Sequence, residues 1–331
     1  MITLKDIALK AGVNVSTVSR ALNKNSDISG TTRESILRIA AELGYRPNYA
    51  AQTLAGKASK LVGVLIPDIR SGYFDTIIGF LEEFLTAQGY SPILAITDFD
   101  LKREIEALEL FCNRQVDGIL VSLPTNAGIL RHIDEVRATY HIPVVLLESL
   151  THWDNYDDVM VDDAFGMTAA VEYLKGKGHT DFGFLTDETN YPIRFPMFRA
   201  ALESNGLAVN EDFVRVSTER FEKGGYLAMK ALLASGTRPT ALLAGYDSIA
   251  IGAMRVIYEA GLRIPEDFAI VGNDNIPEAS FLYQCLTTIA PPVRELARMG
   301  TELLLEKIGD PENKVVHNIR LRPELIIRET T

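Results

Sequence analysis

From Leu61 onward, short apolar segments alternate with longer amphipathic segments, and this alternation restricts the possible folds more than any other feature of the sequence. The apolar segments are rich in valine, isoleucine and leucine, which is typical of strands that are buried on both faces. Strands are predicted at residues 61–66, 91–96, 116–121, 143–147, 182–185, 213–216, 240–244 and 269–272. Helices are predicted at residues 74–87, 103–113, 164–175, 198–205, 224–234 and 248–260, with one more that ends before His141. The pattern predicts two parallel sheets, each covered by helices on both faces.

The residues before Leu61 have a purely helical pattern instead. Three short helices are predicted, at residues 4–10, at residues 15–23 and from Gly30 to Gly44. Gly12 permits a tight turn after the first helix, and Asn14 can cap the second. The predicted fold class is therefore α/β, with an N-terminal all-α head joined to two doubly wound α/β subdomains.

The charge of the chain is divided unevenly between these parts. The whole chain has a formal net charge of −11, but residues 1–60 hold nine Lys and Arg against four Asp and Glu, a net charge of +5. The remaining residues therefore carry −16. A basic head on an acidic body is typical of a nucleic-acid-binding module joined to a part that does not bind polyanions.

The second predicted helix has two contrasting faces. Val18 and Leu22 are apolar and lie on the side that packs against the first helix. The opposite side carries short polar side chains and Arg20, whose guanidinium group can donate two hydrogen bonds to guanine. Helix-turn-helix proteins place such a helix in the major groove, with its N-terminal residues against the base edges.

The segment from Thr3 to Asn23, and above all its run Thr17-Val18-Ser19-Arg20, resembles the DNA-binding head of the LacI/GalR (lactose-repressor) family of bacterial transcriptional regulators. This resemblance implies a helix-turn-helix DNA-binding domain over residues 1–47. It also implies that the base readers are Val15, Ser16 and Arg20. The other predicted DNA contacts in the head are Thr3, Thr17, Ser19, Asn23 and Tyr45.

Residues 48–60 are similar to the hinge helix and linker of this family. A helix of about two turns is marginal on its own. The resemblance implies that the hinge helices of two subunits pair in the minor groove, and that each inserts Leu54 at a central base step. The alternative is that Leu54 is a linker residue that packs on its own protein. The predicted DNA contacts of the hinge are Asn48, Ala51, Leu54, Ala55 and Lys57.

The resemblance continues through the α/β part, for example at residues 62–67 and 261–265, and so covers nearly the full length. It implies two subdomains of the periplasmic-binding-protein type, between which the chain crosses three times. The N-terminal effector subdomain is predicted to comprise residues 61–161 with 292–321. The C-terminal effector subdomain is predicted to comprise residues 162–291 with 322–331.

Ligands of parallel sheets bind beyond the carboxyl ends of the strands, so the cleft between the subdomains is the expected effector site. Carboxylates and an arginine there would bind sugar hydroxyl groups, and aromatic rings would face the apolar side of a sugar. For any one residue the alternative is a solvated loop position or a structural ion pair. The predicted effector-binding residues are Asp68, Ser71, Tyr73, Phe74, Ser122, Glu148, Asp162, Asn190, Arg194, Phe221, Tyr246 and Asp274.

The predicted effector is a sugar or sugar phosphate, and a bulky disaccharide is disfavoured because Tyr246 would fill space in the cleft. The acidic loop around Trp153 is a candidate border of this cleft. Thr301 and Glu302 match the positions at which some family members dock a phosphocarrier protein, and an acid there disfavours an anionic partner. A nucleobase effector and a protein corepressor stay open as alternatives, as does the choice between induction and corepression.

These features predict a sequence-specific transcriptional regulator, in the first instance a repressor of a carbohydrate-utilisation operon. It is expected to bind a palindromic operator as a homodimer.

No catalytic residue, metal ligand or cofactor is predicted. Cys112 and Cys285 follow no metal or redox spacing, which suits a reducing cytoplasm. A nucleotide-dependent enzyme is disfavoured because no glycine-rich phosphate loop follows the first strand. A periplasmic solute-binding protein is disfavoured because Met1 leads into a polar helical stretch rather than a signal peptide. No apolar run approaches the ~20 residues that span a bilayer, so we expect a cytoplasmic protein without membrane contact.

Arg20→Ala is expected to remove about 1–3 kcal/mol of operator discrimination, because the bidentate contact with guanine is lost. Weak binding to nonspecific DNA should persist, since it depends on phosphate contacts. Titrating the variant against operator and scrambled duplexes measures both quantities. Unchanged operator selectivity would count against the assignment of the reading helix.

Overall fold

The computed structural model of the chain describes residues 2–22, 28–45, 58–124, 128–148, 153–236 and 238–331. The chain divides into two compact units, Met1–Ser59 and Lys60–Thr331, and each is described by itself. Six predicted DNA contacts lie outside the described ranges. They are Asn23, Asn48, Ala51, Leu54, Ala55 and Lys57.

The described residues of the first unit form three short helices, which are α1 (Leu4–Ala11), α2 (Val15–Leu22) and α3 (Gly30–Glu42). Gly12 ends α1 in the left-handed conformation, with φ at 67°, and its N–H donates to the carbonyl of Ala8. Ile7, Val18 and Ile36 come from the three helices, are at most 1% exposed and pack together. The head is therefore held together by one small apolar core.

In the part of the second unit that the structure describes there are two six-stranded sheets, and the chain forms the first in nearly regular alternation with helices. Its elements are β1 (Leu61–Ile66), α4 (Gly72–Ala87), β2 (Ser91–Ile96), α5 (Leu101–Asn113), β3 (Gly118–Ser122), α6 (Gly128–Glu135), β4 (Val144–Leu147) and β5 (Asp157–Val161). A short π-helical segment, Val136–Tyr140, follows α6.

The second sheet repeats this arrangement. Its elements are α7 (Asp163–Gly176), β6 (Phe182–Asp187), α8 (Tyr191–Ser204), β7 (Val214–Ser217), α9 (Phe221–Ala234), β8 (Ala241–Ala244), α10 (Asp247–Glu259), β9 (Ala269–Asn273) and β10 (Thr287–Ala290). Short 3₁₀ segments lie at Glu211–Phe213 and Pro277–Ser280. The chain ends with α11 (Val293–Gly309), β11 (Asn318–Leu321) and β12 (Glu324–Ile326).

The strand order shows how the chain passes between the sheets. The first sheet has the order β11-β5-β4-β3-β1-β2, and the second has the order β12-β10-β9-β8-β6-β7. We call the first sheet with α4, α5, α6 and α11 the first lobe, and the second sheet with α7 to α10 the second lobe. The chain therefore passes between the lobes three times, after β5, after β10 and after β11. The residue boundaries of the effector subdomains stay predictions.

Each sheet is covered on both faces, as β1 illustrates. Val64 packs in a cluster with Leu81 of α4 and Leu304 of α11. Its neighbour Leu65 points the other way and packs in a cluster with Phe111 of α5. Because successive side chains of a strand point to opposite faces, a continuous apolar run is buried on both sides.

The structure differs from the sequence-based expectation at several elements, and β10, α11, β11 and β12 are absent from the prediction altogether. The strand β5 is absent from the prediction because its first two residues, Asp157 and Asp158, are acidic. The helix α8 begins at Tyr191 rather than at residue 198, although Pro196 lies inside it and is a helix breaker in most contexts. The strand β12 runs antiparallel to β10, so the second sheet is not wholly parallel.

Glycines allow α9 and α10 to cross at very short distance. A Cβ atom at Gly225 would lie 1.9 Å from the carbonyl oxygen of Ile249, and one at Gly252 would lie 1.9 Å from that of Glu222. Neither position has room for a side chain unless a helix backbone moves.

Gly225→Ala is therefore expected to lower the free energy of unfolding by about 3 kcal/mol, because overpacking against backbone cannot be relieved by a rotamer change. Denaturant unfolding of the full chain followed by circular dichroism measures the change. Gly79→Ala in α4 is the matched control. A Cβ there meets no atom within 4 Å, so its effect should be neutral or a gain of up to ~1 kcal/mol. Equal midpoints for Gly225→Ala and the unsubstituted protein would refute the close crossing.

Candidate functional site

A cavity of about 190 Å³ lies where the carboxyl ends of the strands of both lobes meet. Its wall includes residues within two positions of the ends of β4, β5, β8 and β9, together with the beginnings of α4, α8 and α9. The predicted effector residues that line it are Ser71, Tyr73, Phe74, Glu148, Asp162, Asn190, Arg194, Phe221, Tyr246 and Asp274. We call this space the cleft cavity.

Two predicted effector residues do not line the cleft cavity. Ser122 lies behind Glu148 and donates a hydrogen bond of 3.1 Å to its carboxylate. Asp68 is 1% exposed and accepts hydrogen bonds from Arg70, at 2.8 Å from its backbone N–H and at 3.0 Å from its Nε. Arg220 also donates to Asp68. Both residues therefore support the wall rather than form it.

The structure adds lining residues that the sequence reasoning missed. Several are neighbours of predicted residues in the sequence, and a wider window after each strand would have found them. Phe99 follows β2 and Arg320 lies within β11, and neither strand carries a predicted effector residue. Arg220 follows β7, where Phe221 is the predicted effector residue. The added residues are Phe99, Leu123, Met160, Val161, Asp163, Ala164, Ile193, Met197, Arg220 and Arg320.

Glu148 lies at one side of the cavity in a setting that favours its neutral form. The hydroxyl groups of Tyr73 and Ser122 both donate to its carboxylate. Burial raises the pKa of Glu148 to about 7, despite these two donors. Its carboxyl group can therefore accept or donate a hydrogen bond near neutral pH.

Arg194 lies between two carboxylates at the opposite side. Its Nη2 is 3.4 Å from Asp274 and its Nη1 is 3.9 Å from Asp163. Within the described part of the chain, Nη1 is buried and has no hydrogen-bond partner. Burial raises the pKa of Asp274 to about 6, although the charge of Arg194 opposes the shift. A ligand hydroxyl group could bridge this arginine and Asp274.

Aromatic rings form the remaining wall. Phe221 and Tyr246 meet edge to face, with ring centroids 5.9 Å apart, and the backbone N–H of Phe221 donates to the Tyr246 hydroxyl at 2.8 Å. Tyr73 and Phe74 also meet edge to face, at 5.3 Å. Polar groups on two sides and rings between them suit a small polyol with an apolar face.

One expectation about the surroundings of the cavity is wrong. Trp153 does not line it, but packs partly buried in the cluster that contains Phe111 and Ile133. Docking of a phosphocarrier protein at Thr301 and Glu302 is disfavoured in the sequence analysis, and Thr301 is only 2% exposed. Its neighbour Glu302 is exposed and accepts hydrogen bonds of 2.7 Å from Arg298.

In the head, α2 presents the expected faces. Val18 and Ala21 are buried at 0% and 1% exposure, while Val15 is 39% exposed. The remaining predicted contacts on this helix are exposed or half-buried; they are Ser16, Thr17, Ser19 and Arg20.

The other two described contacts of the head have local structural roles as well. Thr3 precedes α1, and its backbone N–H donates to the carboxylate of Asp6 at 2.7 Å. The ring of Tyr45 is half-buried against the apolar core of the head. The roles of all these residues on DNA stay predictions.

The ranges that the structure describes contain no cluster of three or more His, Cys, Asp or Glu side chains that could hold a metal ion. Cys112 is buried, Cys285 is half-buried, and both are free thiols. Among the helices described, none combines the length and the apolar character needed to cross a bilayer.

Comparisons with known proteins match the helical head and the α/β unit to known families. Residues 3–48 match the family "Bacterial regulatory proteins, lacI family", and residues 171–331 match a "Periplasmic binding protein-like domain". The chain is 32% identical to the ribose operon repressor of Haemophilus influenzae, over 100% of this chain and 98% of that protein. It is 34% identical to the HTH-type transcriptional repressor PurR of Pasteurella multocida, over the same shares of the two chains. The chain belongs to the LacI family.

A solved structure of the family shares the fold. The lac repressor dimer bound to operator and the anti-inducer ONPF is similar with a TM-score of 0.90 and 27% identity, covering 99% of this chain and 98% of that chain. The predicted family and fold class are confirmed. This LacI-family chain is a transcriptional regulator rather than an enzyme, since its curated relatives are transcriptional repressors.

The raised pKa of Glu148 predicts a measurable effect of pH on stability. Between pH 4.5 and about 7 the unfolded chain has lost this proton and the folded chain retains it, so the free energy of unfolding falls as pH rises. Glu148→Gln removes this titration. The stability of the variant relative to the unsubstituted protein should therefore rise by ~1–3 kcal/mol from about pH 5 to about pH 7.5.

Tyr73→Phe is the matched control, because it removes the hydroxyl donor but leaves the carboxyl group of Glu148 in place. It should keep the fall in stability over this pH range. Denaturant titrations at the two pH values measure all three proteins. A Glu148→Gln variant with the same pH dependence as the unsubstituted protein would show that Glu148 is ionised throughout.

Proposed function

We propose that this LacI-family regulator is a repressor of a carbohydrate-utilisation operon, and that a neutral monosaccharide in the cleft cavity controls its binding to DNA. The observation that carries the proposal is the convergence of Glu148, Arg194 and Asp274 with aromatic rings in a small cavity at the strand ends. Hydroxyl groups of a sugar are both donors and acceptors, so they match carboxyl groups and an arginine together.

The charges around the cavity favour a neutral sugar over a sugar phosphate. Among the described lining residues, four are carboxylic acids (Glu148, Asp162, Asp163 and Asp274) and three are arginines (Arg194, Arg220 and Arg320). Arg194 is placed between two acids and Arg220 is paired with Asp68, so their charges are already balanced. A phosphate group would have to displace these acids or be buried beside them, which is costly.

The size of the cavity favours a single sugar ring. At about 190 Å³ it is smaller than the ~300–1,000 Å³ of sites for drug-sized ligands. The ring of Tyr246 is 6% exposed and closes the cavity next to Phe221. The relative in Haemophilus influenzae is a ribose operon repressor, which makes ribose the first sugar to test.

We also propose that the protein acts in the cytoplasm and binds an inverted-repeat operator as a homodimer. The exposed face of α2 and the net charge of +5 of residues 1–60 support a DNA-reading head. The similar lac repressor structure is a dimer bound to operator. Two-fold symmetry of the protein would match the symmetry of a palindromic site. The roles of Leu54 and the other hinge residues are part of this proposal.

An exposed aromatic patch on the second lobe supports self-association. Phe281 is 87% exposed and Tyr283 is 96% exposed. Tyr258, which is 40% exposed, belongs to the same region because its hydroxyl group donates to Gln284 at 2.6 Å. Large exposed aromatic side chains that adjoin one another are typical of protein interfaces.

Control of DNA binding follows from a shift between two arrangements of the lobes. An effector changes the population only by the difference between its affinities for the two arrangements. A tenfold change in operator occupancy requires a difference of about 1.4 kcal/mol.

The experiment that tests this proposal combines calorimetry with operator footprinting. The probes are D-ribose, other neutral monosaccharides, ribose 5-phosphate, lactose and adenine. A neutral monosaccharide is expected to bind and to change the footprint, whereas the phosphate and lactose should not. Arg194→Gln should weaken sugar binding at least about tenfold, because a hydrogen bond from a charged group is lost.

Arg199→Gln is the matched control, since Arg199 lies on the same helix but is exposed and paired with Glu211 at 2.7 Å. It should leave sugar affinity unchanged. If adenine is the only probe that binds, the effector is a nucleobase rather than a sugar. A footprint that responds to none of the probes would refute the proposal that an effector controls DNA binding.

A further inference from the structure

The side chain of Arg220 crosses from the second lobe to the first. Arg220 immediately precedes α9 in the second lobe, and its Nη1 lies 2.5 Å from Oδ2 of Asp68, which follows β1 in the first lobe. Its Nε lies 3.8 Å from Oδ2 of Asp187 at the end of β6. Asp68 and Asp187 are 1% and 0% exposed, so the guanidinium group balances two buried carboxylates that belong to different lobes.

Aromatic rings from both lobes enclose the same guanidinium group. Its central carbon lies 5.0 Å from the ring centroid of Phe99 and 4.6 Å from that of Phe221. Phe99 follows β2 in the first lobe, and Phe221 begins α9 in the second. Both distances are within the ~6 Å of a cation–π interaction. Both rings also line the cleft cavity.

Each carboxylate is fixed within its own lobe. Asp68 is held by the backbone and side chain of Arg70. Asp187 accepts hydrogen bonds from the backbone N–H of Asn190 at 2.8 Å and from the hydroxyl group of Tyr246. The two ends of the contact are therefore rigid, and Arg220 can pair with Asp68 only when the lobes are close together.

We propose that Arg220 is a positioning residue that clasps the two lobes, closes the cleft before an effector arrives and fixes Phe99 and Phe221 as walls of the cavity. The inference rests on the proposed function only in taking the cleft cavity as the effector site. The effector then binds to a cleft that is already mostly closed. The strength of this clasp sets the balance between the lobe arrangements in the absence of a ligand.

A second contact between the lobes provides a direct measure of closure. A Cβ atom at position 72, where α4 begins in the first lobe, would lie 3.2 Å from the Cβ of Ile276 in the second lobe. This distance is close to the ~3.5–4.5 Å between the Cβ atoms of a disulfide. A cysteine pair at these positions can therefore cross-link only the closed arrangement.

The test measures the rate of disulfide formation in the ligand-free full chain that carries Gly72→Cys and Ile276→Cys. Cys112→Ala and Cys285→Ala remove the native thiols, and the shift in gel mobility under mild oxidant follows the reaction. Arg220→Gln and Asp68→Asn should each slow cross-linking at least about tenfold, because each leaves the lobes without their ion pair. Arg220→Lys keeps the charge and should retain most of the rate.

Arg263→Gln is the control, because Arg263 is an exposed arginine of the second lobe that pairs with Asp267 at 3.4 Å, away from the cavity. It should cross-link at the rate of the parent. Circular dichroism checks that each variant is folded. If Arg220→Gln does not fold, Asp68→Asn still tests the clasp from the other lobe. Cross-linking of Asp68→Asn or Arg220→Gln at the parent rate overturns the clasp.

The clasp and the effector proposal fail separately in this design. No sugar is present, so the cross-linking rate reports on the clasp whatever the effector is. A chain that cross-links as expected but binds none of the sugar probes would refute the effector proposal and leave the clasp intact.

Discussion

The opposition of two parallel sheets is the constraint on which the rest of this protein depends. In each lobe the strands, apart from β12, point the same way, so the polar residues that follow them collect at one edge. The chain passes three times between the lobes, and this connection places the two edges on either side of one cavity. Glu148 from the first lobe and Arg194 and Asp274 from the second meet there for this reason, although they are far apart in the sequence.

Burial of charge decides how this cavity behaves. Carboxyl groups that leave water lose hydration, so the pKa values of Glu148 and Asp274 rise to about 7 and about 6. Asp68 and Arg220 avoid this cost by pairing with each other. The same low-polarity surroundings therefore raise the pKa of the acids that face sugar hydroxyl groups and strengthen an ion pair that joins the lobes.

Much of the fold was predictable because its signals are local. A run such as that of β1 is apolar at every position, and only a strand covered on both faces uses such a run. The prediction failed where local signals contradict the tertiary structure. The acids Asp157 and Asp158 concealed β5, and Asp157 is accommodated there by the ion pair with Lys307 at 3.4 Å and by the backbone N–H of His317 at 3.0 Å. Pro196 likewise concealed the first half of α8, because helix-breaking tendency is only one contribution to the stability of a packed helix.

The sequence by itself determined the family, the α/β class with its helical head and most of the residues at the cavity, since strand ends and the faces of α2 are set by neighbours along the chain. Only the tertiary structure decided which of the charged residues face a ligand and which pair with one another. The position of Asp68 after β1 predicts a ligand contact, yet Asp68 pairs with Arg70 and Arg220. Such a pairing depends on a distance between two lobes, and no spacing along the chain encodes that distance.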